Sequence, residues 1–176
     1  PRVLRSLFSN PNTTHRLTLV PGRGTEESKT NDVTGRIKRE EIGLCIELGR
    51  PGLGCSFKDI SLMILRLEKL GLELEPNNPL MPLMDIGKGG FPKAVLAQRI
   101  LSAIVEVKLS ADRLEEIIPA IIEVGQEIDT VFSLGVICRF EENAELPILE
   151  RLMKIGIDAA PNAKINLGLG RPLVKY

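Results

Sequence analysis

The chain has no tryptophan, one tyrosine and one histidine, and aromatic residues make up only 3% of its 176 positions. Modules that read single-stranded nucleic acid stack bases on exposed rings, and this sequence has few rings to offer. The lone histidine, His15, sits in a polar stretch with no cysteine or second histidine beside it, which speaks against a histidine-built metal or acid–base site. An excess of charge of one sign is also lacking. Lys plus Arg and Asp plus Glu are 23 each, so no global field favours nucleic acid or an anionic membrane.

Cysteine is scarce and unpatterned. Cys45, Cys55 and Cys138 have no metal-ligand spacing, and Cys45 and Cys138 lie in apolar runs, where the thiol acts as a small buried hydrophobe. Cys55 stands directly before a helix start, the one cysteine placed where a thiol pKa can be lowered. No apolar run reaches membrane-spanning length and no leader-like segment opens the sequence. A reducing, cytoplasmic setting without membrane contact is the expectation.

What is present is aliphatic core material in an α/β rhythm. Hydrophobic residues reach 43% and charged residues 26%, values of an ordinary globular chain. Residues 1–40 are rich in Asn, Thr, Gly, Ser and Pro, and read as a loop-rich segment around one edge strand at Leu17–Val20. The charge there is eight bases against four acids, whereas residues 111–161 carry eleven acids against four bases. Solvated helix faces, or a basic segment meeting an acidic surface of a second copy, account for that contrast.

From Glu41 the pattern sharpens. Ile42–Leu48 reads as a buried strand. Ser56 with Asp59 three residues on resembles a helix-opening capping box, and Ile60, Met63, Ile64, Leu67 and Leu70 follow at helical spacing up to a stop at Gly71. Leu72–Leu74 is a short strand candidate. Leu80–Ile86 reads as a further strand, Pro92 as the opening of a helix over Ala94–Leu101, and Ile104–Leu109 as a strand. Ser110 caps a helix with an apolar stripe from Leu114 to Ile122, where Pro119 predicts a kink or a split. Thr130–Phe140 is the longest strand candidate. Pro147 opens a last helix that stops at Gly156, and Lys164–Leu167 makes a final strand.

The strongest signal is internal similarity. Arg66–Asn77 and Arg151–Asn162 share six of twelve positions, and Leu/Ile or Glu/Asp replacements cover three more. Ile42-Gly43-Leu44 precedes the first copy and Leu134-Gly135-Val136 the second, while Gly87-Lys88-Gly89 and Gly168-Leu169-Gly170 follow them. Duplication explains the order of features, with residues 41–110 as a first α/β repeat and 111–176 as a second on the same core. The expected fold is an α+β two-layer sandwich, a mixed sheet with helices on one face and ferredoxin-like halves. A three-layer doubly wound sheet is the alternative.

Chemistry is confined to three Gly-rich turns, each with a base. Gly87, Lys88, Gly89, Gly90 and Lys93 lie between a strand and a helix, where backbone amides and ammonium groups suit an anion. Arg50 marks the turn Gly49–Gly54, and Arg171 the turn after Gly168. Neither phosphate-binding fingerprint fits these spacings. The expectation is a non-catalytic α/β module or subunit that binds a small anionic ligand or a partner, as a homo-oligomer or with another chain. A phosphate- or nucleotide-using enzyme is the alternative, and no cofactor or metal site is indicated.

Overall fold

The computed structural model describes residues 35–50, 53–85 and 90–159. His15 and the strands at Leu17–Val20 and Lys164–Leu167 lie outside the described residues, as does the end of the second repeat.

Three strands form the main sheet: β1 Glu41–Leu48, β4 Ala103–Ser110 and β5 Phe132–Ile137, in the order β4-β1-β5. Side chains alternate along each strand. Ile42, Leu44, Ile46 and Leu48 of β1 face one way, level with Leu109, Val107, Val105 and Ala103 of β4. Val136, Leu134 and Phe132 of β5 continue that row. Every pairing in this sheet is antiparallel, which corrects the mixed sheet expected from sequence. The reason is topological. β4 and β5 run in the same direction, joined by a helix as in a βαβ unit, but β1 is inserted between them and opposes both.

Helix α1, Phe57–Lys69, opens with the anticipated capping box. Asp59 N–H donates to Ser56 Oγ (3.2 Å), and Ser56 N–H donates to Asp59 Oδ2 (2.9 Å). Such a cap is worth about 1 kcal/mol. Phe57, Ile60, Met63, Ile64 and Leu67 are buried, one face of a 3.6-residue repeat. The helix ends on Gly71 at φ +72°, with Gly71 N–H on Glu68 O and Leu72 N–H on Leu67 O, the Schellman pattern. Beyond it Leu74 bridges Val107, covering the outer edge of β4.

Leu80–Ile86 is not a strand as far as it is described. Pro79 and Pro82 have no amide to give a ladder, and Met81–Leu83 is a 3₁₀ turn held by Asn78, whose Oδ1 accepts from Leu80 N–H. The helix expected over Ala94–Leu101 shrinks to α2, Lys93–Leu96. Arg99–Ile100 instead forms strand β3, paired with β2, Cys55–Ser56.

Helix α3, Leu114–Val124, follows a 3₁₀ turn at Ala111–Arg113 and passes through Pro119 as one helix. Pro119 and Glu115, whose carbonyl the missing amide would have bonded, are both exposed. Leu114, Ile117, Ile118, Ile121 and Val124 remain buried. Helix α4, Pro147–Lys154, ends as α1 does: Gly156 at φ +75°, its N–H on Met153 O, and Ile157 N–H on Leu152 O. The two similar segments thus share one helix-ending device. Both also reach α3, Arg66 through Glu123 (3.5 Å) and Arg151 through Glu115 (3.9 Å).

One apolar cluster runs from Ile42 to Leu152 and includes residues of β1, β4, α1, α3 and α4. On the other side of the sheet Ile37 lies over Gly43, and Arg36 forms ion pairs with Glu75 and the buried Glu106. The fold is therefore α+β, with no helix among the described residues long and apolar enough to cross a membrane.

Candidate functional site

The described part of the Gly49–Gly54 turn lies at the end of the sheet where β1 finishes and β4 and β5 begin. There the chain closes on itself. Leu53 N–H and Gly54 N–H both donate to Gly49 O (3.1 Å each), and Gly49 N–H donates to Val131 O (2.8 Å). Thr130 Oγ1 donates to Gly54 O (2.6 Å). A Cβ on Gly49 would stand 2.7 Å from the Gly54 carbonyl carbon and 2.8 Å from Leu101 O. These glycines exist so that backbone can touch backbone.

The basic residues of these turns are placed accordingly. Arg50 pairs at 2.7 Å with Glu47, near the end of β1. Lys93 is exposed and opens the four-residue α2, too short for a helix-end field. Gly90, at φ +104°, takes a conformation that suits glycine, and its carbonyl accepts from Asp85 N–H (2.9 Å). Gly87, Lys88, Gly89 and Arg171 lie outside the described residues. No hydrogen bond or ion pair joins Arg50, Gly90 and Lys93 to one another.

Cys55 departs from the expectation drawn from its helix-start position. Burial, reinforced by the Asp59 carboxylate, pushes its thiol up to about 12, so it is a protonated core residue. Asp59 is the organising group here. Burial alone would raise its carboxyl, but bonds from the Ser56 hydroxyl (2.6 Å), the Ser56 amide and the Asp129 amide (3.0 Å) hold it below the ordinary value.

Among the described residues the opposite end of the sheet is open. A cleft of about 350 Å³ lies where β1 begins and β4 and β5 finish. Arg39 and Glu40 line it from the turn before β1, Ile42 from β1, Ser110 from the end of β4, and Ala111 and Asp112 from the turn that follows. Cys138, Arg139 and Glu141 follow β5, while Leu146, Pro147, Ile148 and Arg151 belong to the start of α4. Both the 3₁₀ turn leading into α3 and α4 itself begin on this cleft, and neither start has a side-chain cap bond.

Its charges are partly tied. Arg39 donates to Glu142 Oε1 at 2.7 Å, which raises the arginine pKa and lowers that of the glutamate. Arg151 Nη1 donates to Ala111 O (3.3 Å). The Ser110 hydroxyl holds Asp112 ionised below its usual range. Cys138 is raised by burial, so the cleft's one thiol is protonated near neutrality. Among the described residues no group of three or more His, Cys, Asp or Glu could hold a metal ion.

No part of this cleft was singled out from sequence. Its arginines are isolated in the chain and come together only through the pairing of β1 with both neighbours. No protein-family model, curated protein or solved structure matches the chain.

Proposed function

We propose that this protein is a non-catalytic binding module whose small anionic ligand occupies the cleft at the carboxyl ends of β4 and β5. The observation that carries the reading is the convergence of Arg39, Arg139 and Arg151 on one cleft with the start of α4, which has no side-chain cap. Amides at a helix start and guanidinium groups both favour anions. Asp112 and Glu141 on the same walls suit a ligand that also carries a cationic group, as an amino acid does. Binding is favoured over chemistry because the cleft's thiol is protonated and its lining among the described residues includes no histidine.

The test is thermal denaturation against inorganic phosphate, nucleotides, phosphosugars, dicarboxylates and amino acids. A ligand at a hundred times its dissociation constant stabilises a fold by roughly 2.7 kcal/mol. One compound class should raise the midpoint, and Arg39→Ala should remove the rise. If Lys88→Ala removes it and Arg39→Ala does not, the alternative of a phosphate-using enzyme at the Gly-rich turns gains instead.

The common ends of α1 and α4, and the arginine that each sends to α3, support reading the two segments as products of a duplication. Cys45, Cys55 and Cys138 are all free thiols, which supports a reducing, cytoplasmic compartment.

A further inference from the structure

β5 and β4 are the two outer strands of the main sheet, and they are finished differently. The outer edge of β4 is covered by Leu74, with Glu75 N–H on Glu106 O (2.8 Å). Among the described residues no strand pairs with the outer edge of β5. From Val131 to Cys138 the sequence carries neither charge nor proline, the devices that normally protect such an edge.

The direction of its free groups follows from one bond. Gly49 N–H donates to Val131 O, and alternation along an antiparallel ladder then turns Val131, Ser133, Gly135 and Ile137 toward β1. Phe132, Leu134 and Val136 direct their amides and carbonyls outward.

We propose that the outer edge of β5 pairs antiparallel with β5 of a second copy of this chain, doubling the three-stranded sheet about a two-fold axis. The register is selected by three conditions. Outward-directed residues must oppose each other, apolar side chains must stay on the helix-bearing face, and charges at the ends must match. Placing Leu134 opposite Leu134 of the second copy meets all three. Phe132 then opposes Val136, an aromatic against a β-branched residue, and Ser133 opposes Gly135 on the other face. Extending the register past the strands brings Asp129, 98% exposed at its side chain and 4.0 Å from Arg99 of its own chain, toward Arg139 of the second copy, once at each end. Moving the axis by one residue to Gly135 keeps the first two conditions but sets Asp129 against Glu141. Because Arg139 also lines the cleft, Asp129 of the second copy borders that site.

Sedimentation velocity of the full chain over a micromolar concentration series tests this. The wild type should sediment as a dimer. Asp129→Lys should weaken dimerisation at least about tenfold, since like charges then meet twice, and adding Arg139→Glu should restore it. The fold of each variant is checked by circular dichroism; the Asp129 amide, which bonds Asp59, is retained in both. A wild type that stays monomeric overturns the proposal. So does a dimer indifferent to Asp129→Lys, or one weakened by it and not rescued by the second substitution.

Discussion

The two ends of the sheet are made from similar materials and do opposite things. Where β1 finishes, Gly49 and Gly54 let the turn close against Leu101 and Ile100 at backbone distance, and Asp59 gathers donors from Ser56 and Asp129. Where β1 begins, side chains from four separate segments surround a cleft without filling it. Glycine beside a base looks like an anion site in a sequence. Gly49 and Gly54 serve packing, and the cleft lined by described residues lies at the other end.

The contrast can be broken most severely at Gly49. Its φ of +82° and its backbone contacts below 3 Å leave no room for a methyl group. Gly49→Ala should lower stability by about 3 kcal/mol, combining the left-handed penalty with overpacking, as read by urea denaturation. Gly71 has a similar φ, +72°, but nothing within 4 Å of a Cβ. Gly71→Ala should therefore cost only about 1 kcal/mol, and equal losses at the two positions would refute the packing argument.

Asp59→Asn should cost about 2 kcal/mol, the scale of hydrogen bonds to a charged acceptor. The sign of its pH dependence follows from the lowered carboxyl. Its contribution is present above the ordinary carboxylate pKa and fades as pH falls through the folded value. Denaturation midpoints measured toward acid pH should fall less steeply in the variant than in the wild type.

The cleft end should respond more gently. Ala144 holds φ +63° in the turn that carries Glu142, and Ala144→Gly should stabilise by about 0.5 kcal/mol, strain relief being offset by added chain entropy. Arg39→Ala should leave the thermal midpoint of the unliganded protein unchanged, because its ion pair with Glu142 is exposed.

How much of this was legible depends on how local the determinants are. The Ser56–Asp59 cap, the Gly71 and Gly156 stops and the stripe of α1 all lie within a few residues, and sequence gives them directly. Pairing direction is not local: β4–α3–β5 reads as a parallel unit, and only the insertion of β1 makes each ladder antiparallel. Arg99–Ile100 is strand because Cys55–Ser56 lies beside it, not because of its own pattern. The cleft was invisible for the same reason. Arg39, Ser110, Arg139 and Arg151 are neighbours only after β1 has paired on both sides.

The most direct test of the account is an amide chemical-shift titration of the isotope-labelled full chain with the compound that most raises its thermal midpoint. The account predicts shifts concentrated at Arg39–Glu40, Ser110–Asp112 and Cys138–Glu141, with the Gly49–Gly54 turn unmoved. Shifts centred instead on Gly49–Gly54 and Gly87–Lys93, with Arg39 and Arg139 silent, would contradict it.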